Sequence, residues 1–193
     1  GSGLSTLPAG SFRSTYSLQT IEIPTNIISI GESAFAESGL SSLTFAENSQ
    51  LLEIGSSAFA FCHIESVSLP QSLFVIGNGA FYGNYFLSNV AFAADSNLQY
   101  IGGSAFANTS SLKQISLPDR LVQLGGFAFA NSGLTGVVTL PASLTNLGAG
   151  AFASCHNITD IVVEQGNNVY CDVDGVVYTL DGKMLVEYPA GKD

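Results

Sequence analysis

A unit of about 23 residues recurs seven times in this chain of 193, and that recurrence restricts the fold more than any other feature. Ser-Phe in the first copy and Ala-Phe in the others end at Phe12, Phe35, Phe59, Phe81, Phe106, Phe129 and Phe152, at intervals of 23, 24, 22, 25, 23 and 23 residues. Four positions before each Phe stand Pro8, Gly31, Gly55, Gly77, Gly102, Gly125 and Gly148. An Ile or Leu precedes each of these, from Leu7 to Leu147, and another apolar residue lies three positions further back, from Leu4 to Leu144. Agreement at four positions in seven copies defines a repeat protein, in which one unit cannot bury its own apolar face and stacked neighbours supply the core.

The other half of each unit carries a strand pattern. It reads Leu18-x-x-Ile21-x-Ile23-Pro24, Leu40-x-x-Leu43-x-Phe45, Ile64-x-x-Val67-x-Leu69-Pro70, Leu87-x-x-Val90-x-Phe92 and Leu112-x-x-Ile115-x-Leu117-Pro118, then Val138-x-Leu140-Pro141 and Ile158-x-x-Ile161-x-Val163. Apolar residues at every second position suit a half-buried strand, and proline directly after it ends pairing and sets a turn. Two units replace the proline turn with longer stretches, 45–51 and 92–98, and Val137 is one extra residue before the sixth strand. Loops tolerate such insertions, whereas a shift inside a strand turns its buried face outward, so the variation is expected in loops.

The recurring Phe predicts a column of buried rings, each contributing roughly 2–3 kcal/mol against exposure. The Ala before it suits close packing between coils. The recurring Gly implies either a positive φ or close backbone approach. Pro8 cannot take a positive φ, so the first coil is expected to turn differently.

Cys62 and Cys155 share one repeat position four coils apart, about 19 Å at the spacing of neighbouring strands. That distance excludes a disulfide between them and a single zinc site built with His63 and His156. The cysteines read as small buried hydrophobes and the histidines as solvent-facing turn residues, while pairing of Cys171 with Cys155 stays open. After Val163 the period breaks, and Asp174-Gly175 and Asp181-Gly182 between apolar alternations mark hairpin turns. Asp172-x-Asp174-Gly175 opens like a calcium loop, but its twelfth position is Lys183 where such a loop needs Glu.

Five basic against 15 acidic residues give a net charge of −10, which disfavours nucleic acid and anionic membrane surfaces as partners. No apolar run approaches the length of a membrane span. No phosphate loop, dinucleotide fingerprint, nucleophile elbow or zinc-protease motif is present, and the carboxylates are scattered over turns. The sequence therefore predicts no catalytic, cofactor-binding or metal residues.

The recurring L-x-x-I-x-I-P-x-x-[IL]-x-x-I-G-x-x-A-F-x-x-C/S pattern resembles the BspA-like, Treponema-type leucine-rich repeats, most clearly over 68–81 and 117–129. The resemblance implies a right-handed solenoid over 4–163 with a parallel β-sheet on its concave face and an irregular or short-helical convex side. It also implies a C-terminal β-hairpin over 164–193, serving as a cap or as a link to further modules. Residues 1–3 read as a cloning remnant. Outward strand positions on the concave face would be Thr20, Glu22, Ser42, Thr44, Ser66, Ser68, Asn89, Ala91, Gln114, Ser116, Gly136, Thr139, Asp160 and Val162. Two readings of this face stand: a solvated sheet surface, or a hydrogen-bonding platform for an extended partner. The resemblance implies a secreted or surface-attached adhesion or recognition module. It is expected to be monomeric, with its signal peptide removed and an extracellular protein or glycan as ligand. A structural spacer and a carbohydrate-binding domain are the alternatives.

Overall fold

A computed structural model of the chain describes residues 3–192, so most of the supposed cloning remnant, Gly1 and Ser2, lies outside the described residues. The first strands are β1 (Thr6–Leu7), β2 (Thr20–Ile23), β3 (Ser29–Ile30), β4 (Ser42–Phe45), β5 (Glu53–Ile54), β6 (Ser66–Leu69), β7 (Val75–Ile76) and β8 (Asn89–Phe92). They are followed by β9 (Tyr100–Ile101), β10 (Gln123–Leu124), β11 (Thr135–Leu140), β12 (Asn146–Leu147), β13 (Asn157–Val163), β14 (Tyr170–Val173), β15 (Val176–Thr179) and β16 (Leu185–Glu187). The fold is a parallel β-solenoid of seven coils. The two-residue strands at the Ile-Gly corners form one unbroken parallel sheet in the order β1-β3-β5-β7-β9-β10-β12. The longer strands pair only in twos, as β2-β4, β6-β8 and β11-β13. Residues 112–117 carry the strand pattern without forming ladder bridges. The side expected to hold short helices is a run of turns instead, and no helix occurs among the described residues.

The Phe column is the centre of the core. Successive rings from Phe12 to Phe152 stack with centroids 4.9–5.7 Å apart and planes within 14° of parallel. This is offset stacking set by the coil repeat, worth about 0.5–1.5 kcal/mol per pair beyond area burial. Beside the rings a backbone ladder runs between coils: Phe35 N–H donates to Ala58 O at 2.7 Å, Phe59 to Ala80 at 2.8 Å, and Phe106 to Ala128 at 2.7 Å. Ala34, Ala58, Ala80, Ala105, Ala128 and Ala151 are fully buried, so a larger side chain has no room there.

Two residues in every coil hold left-handed backbone, one on each side of the Phe. The position two before is Gly10, Ser33, Ser57, Gly79, Ser104, Phe127 or Gly150, and the position two after is Ser14, Glu37, Phe61, Gly83, Asn108, Asn131 or Ser154, all with φ between 53° and 69°. The corner glycine is required for another reason. Its φ is not positive, and a Cβ on Gly77 would stand 2.7 Å from Ser56 N of the preceding coil. Pro8 occupies this position in the first coil, where it is exposed. That coil turns like the others, with Gly10 left-handed and β1 paired to β3, contrary to the expectation drawn from Pro8.

The extra residue of the sixth coil is also placed differently from the expectation. Val137 lies within β11, where the register against β13 shifts between Gly136 and Val137 and Gly136 takes φ 71°. The pair absorbs the change as a register shift in which Gly136 and Val137 oppose Ile158 and Asp160 and Thr159 of β13 is passed over, leaving Val138 and Leu140 buried. The loop insertions do behave as expected: Ser49 N–H closes onto Ala46 O at 3.1 Å and Ser96 onto Ala93 O at 3.0 Å, in place of the proline turns.

After β13 the chain forms a three-stranded antiparallel meander, β14-β15-β16, one strand more than the expected hairpin. Asp174 (φ 49°) and Gly175 (φ 72°) make the first turn with both central residues left-handed. The meander packs on the last coil. Glu187, 6% exposed, accepts Phe152 N–H at 3.2 Å, taking the place an eighth coil's Ala carbonyl would hold. Asp172 Oδ1 accepts Val163 N–H at 2.8 Å, Tyr170 Oη accepts Leu147 N–H at 2.9 Å, and Lys192 pairs with Asp160 at 2.8 Å.

Burial pushes the Glu187 carboxyl pKa up, partly offset by the Phe152, Ala151 and Gly150 amides. A carboxyl whose folded pKa lies above its unfolded value contributes stability below the unfolded value and loses it as pH rises through the folded one. Glu187→Gln is expected to remove that decline, which sets in as pH rises above the ordinary Glu value of about 4.3, while keeping the acceptor. Urea midpoints on either side of that value check it, and parallel pH profiles for the two proteins would contradict it.

Phe106→Ala should cost about 3–5 kcal/mol as a truncation in the middle of the column, and an unchanged melting temperature would refute the stack's role. Ser104, at φ 54°, tests the backbone separately. Ser104→Val should destabilise by about 1–2 kcal/mol, because a β-branched side chain resists left-handed backbone, while Ser104→Gly leaves the melting point nearly unchanged.

Candidate binding face

The alternation of the longer strands divides their side chains cleanly. Ile23, Leu43, Val67, Leu69, Val90, Val138 and Leu140 turn into the core. Thr20, Glu22, Ser42, Thr44, Ser66, Ser68, Asn89, Gln114, Ser116 and Thr139 are exposed, and Ala91 and Val162 are half-buried. In register, Thr20 lies beside Ser42, Glu22 beside Thr44 and Ser66 beside Asn89, which forms rows of short polar side chains across the coils. Two expected members differ. Asp160 is held by Lys192, which keeps its carboxyl below the usual range chiefly through that hydrogen bond. Gly136 gives up its outward place to Val137, which is 58% exposed.

This surface is uneven because its ladder is interrupted. A hollow of about 350 Å3 lies between β4 and β6, one of about 320 Å3 between β8 and residues 114–116, and one of about 560 Å3 between 114–117 and β11.

The cysteines belong to the interior. The position three after each Phe is a polar column of Thr15, Ser38, Cys62, Asn84, Thr109, Ser132 and Cys155. Its Thr, Cys and Asn side chains satisfy carbonyls of the Phe segment: Cys62 Sγ donates to Phe35 O at 3.1 Å, Asn84 Nδ2 to Phe59 O at 2.7 Å, and Cys155 Sγ to Phe129 O at 3.1 Å. Ser38 and Ser132 contact the two thiols at 3.4 and 3.2 Å. Burial raises both thiol pKa values, so these sulfurs are poor nucleophiles. All three cysteines are free, which settles the open pairing of Cys171.

Aromatic side chains absent from the polar face occur elsewhere, where the strand pattern gives no signal. Phe61 meets Tyr82 edge-on at 5.2 Å, and His63 lies over Phe86 at 5.9 Å, with Phe61, Tyr85 and Phe86 all exposed. On the corner-sheet side Leu52, Phe74 and Val75 border a hollow of about 470 Å3, and Tyr100 packs edge-on to Phe74 at 5.4 Å. Departures from the repeat consensus in the third, fourth and fifth coils are the only sequence trace of these groups.

Stacked coils with a recurring Ile-Gly corner and Ala-Phe turn define a solenoid of the leucine-rich-repeat class. The model for the BspA type leucine rich repeat region matches residues 5–95 and 90–172 in six copies, and the chain belongs to that family. The pneumococcal vaccine antigen PcpA is similar at 31% identity over 91% of this chain and 38% of its own, with a TM-score of 0.62. A leucine rich cell surface protein from Faecalibacterium prausnitzii shares the fold at 22% identity, covering 96% of this chain and 50% of its own, with a TM-score of 0.66. A Treponema pallidum leucine rich repeat protein matches at 26% identity over 74% of this chain and 63% of its own, with a TM-score of 0.54. The chain thus spans less than two thirds of the length of each of these proteins. No curated protein sequence matches it.

Proposed function

We propose that this chain is a non-enzymatic recognition module that binds extracellular macromolecules at a bacterial cell surface through its polar strand face. The observation that carries the reading is the exposed row of Ser, Thr, Asn and Gln side chains from Thr20 to Thr139, crossing six coils. Solenoids use such extended faces for binding. Short hydroxyl and amide side chains supply both donors and acceptors and lose little rotamer entropy when ordered. The face lacks Arg and aromatic anchors, so affinity is spread over many weak contacts rather than concentrated in one hot spot.

Family membership and a structural relative described as a cell surface protein support the surface setting. No helix among the described residues is long and apolar enough to cross a membrane. In this reading the coils over 4–163 recognise the partner, and residues 164–193 cap the last coil. The module acts as a monomer.

Replacing Ser66, Ser68, Gln114 and Ser116 by Glu adds four negative charges to the centre of the face without touching the core. Binding to immobilised extracellular-matrix proteins and glycans at physiological salt should fall at least about tenfold, the equivalent of 1.4 kcal/mol. Saturable binding that survives these substitutions would overturn the assignment of this face.

A further inference from the structure

Three consecutive units differ in how the chain leaves the long strand. Leu69 to Leu73 is a proline turn closed over four positions, with Leu73 N–H bonded to Pro70 O at 3.1 Å, whereas Phe45 to Leu51 and Phe92 to Leu98 each take six. Because β5, β7 and β9 are neighbours in the corner ladder, the short turn lies between the two long ones. No other proline turn of the chain is flanked in this way. A trough results. One part, of about 590 Å3, lies over Pro70 and Gln71 between Asn48 and Asn97, and the other, of about 470 Å3, runs onto the corner sheet beside Phe74 and Gln99. Ser72 and Asn97 border both parts, and each volume falls in the roughly 300–1,000 Å3 span of ligand sites.

The lining combines one aromatic wall with unpaired amides. Phe74, 37% exposed, is steadied by the edge-on contact with Tyr100 at 5.4 Å. The side chains of Asn48, Gln71 and Gln99 form no hydrogen bond among the described residues, and Asn97 engages only its Oδ1, which accepts from Arg120 at 2.6 Å. The corner ladder fixes the backbone beneath them: Phe74 N–H donates to Leu52 O at 2.9 Å and Gln99 N–H to Phe74 O at 3.1 Å. Side chains carried on such a ladder are held in place before a ligand arrives. Glu53 is the one charged residue of the lining and forms no salt bridge among the described residues. Of the outward strand residues the trough reaches only Ser68.

We propose that this trough is a binding site for a neutral oligosaccharide. A sugar ring has a face of C–H groups that lies against the negative face of an aromatic ring, and a rim of hydroxyls that both donate and accept. Phe74 supplies the first contact. Gln71 and Gln99, each donor and acceptor, and the amide nitrogen of Asn97 supply the second. Two hollows joined at Ser72 and Asn97 take linked rings rather than one. An added peptide strand has nothing to pair with, since β7 is already bonded to β5 and β9 on its two sides. An acidic sugar is disfavoured by Glu53 and by the net charge of −10, while the otherwise uncharged lining matches a neutral ligand. The proposal goes beyond the reading of the strand face, because Ser68 alone belongs to both surfaces.

Calorimetric titration of the whole chain tests the site. The probes are neutral tetrasaccharides of glucose, mannose, galactose and N-acetylglucosamine, the four free monosaccharides, and a hyaluronan tetrasaccharide as the acidic counterpart. At least one neutral tetrasaccharide should bind saturably, and at least about tenfold tighter than its own monosaccharide and than the acidic probe. Phe74→Ala should weaken that binding by about tenfold or more. Should it unfold the protein, Gln71→Ala combined with Gln99→Ala decides instead, with about a tenfold loss at an unchanged melting temperature. Ser66→Glu, Gln114→Glu and Ser116→Glu together should leave sugar binding as it is, which separates the trough from the strand face. Silence across the neutral panel, equal affinity for the acidic probe, or undiminished binding to the folded double variant would overturn the proposal. Loss of sugar binding on the three strand-face substitutions but not on the trough variants would move the sugar to the strand face and overturn it equally. Capture of a matrix protein by a chain that binds none of the sugars would overturn the trough and leave the reading of the strand face standing.

Discussion

Contact between consecutive coils at one fixed spacing governs the rest of this molecule. The Phe rings can stack at 4.9–5.7 Å only if every coil brings its backbone equally close to the last. That closeness removes the Cβ at the corner, limits the residue before Phe to Ala or Ser, and imposes left-handed backbone on both sides of the ring. It also buries the Phe-segment carbonyls, which the Thr, Cys and Asn members of the polar column then satisfy. The repeat consensus is therefore a set of consequences of a single distance.

The two sides of the coil answer to this distance differently. The Ile-Gly corners form a continuous seven-stranded ladder, whereas the longer strands pair only in twos. Because the Phe stack and the corner ladder hold the coils together, the strand face is free to carry a bulge, an unpaired segment and open hollows at modest cost to stability. Departures from local rules are tolerated where the rest of the structure over-determines the fold, and these are the places where function is expected. At the C-terminal end the same stacking requirement is met by imitation, with a carboxylate of Glu187 standing in for a carbonyl of the next coil.

Most of the fold was legible in the sequence because the constraints repeat. The Phe column, the buried alternation of the strands and the outward row from Thr20 to Thr139 follow from spacing alone. The features that were not legible are those that depend on a neighbouring coil. Glycine at a corner reads equally as positive φ or as close approach, and only the position of Ser56 beside Gly77 separates the two. Serine at 33, 57 and 104 carries no sign of left-handed backbone, since the turn is imposed by stacking rather than by residue preference. Val137 reads as a loop insertion because periodicity gives residue number and not pairing. The polar column was half visible, through Cys62 and Cys155, but its Asn and Thr members share no side-chain type that a consensus would reveal.

The claim that tight stacking on one side leaves the strand side open is tested most directly by native-state hydrogen exchange of the free protein. The account predicts that the corner amides of Gly31, Gly55 and Gly77, bonded to the preceding coil at 2.7–2.8 Å, exchange only through global unfolding. The amides of Gln114, Ile115 and Ser116 should exchange orders of magnitude faster although they lie between the same stacked coils. Equal protection at the two sets of amides would mean that the fifth strand is paired in solution, and would contradict the account.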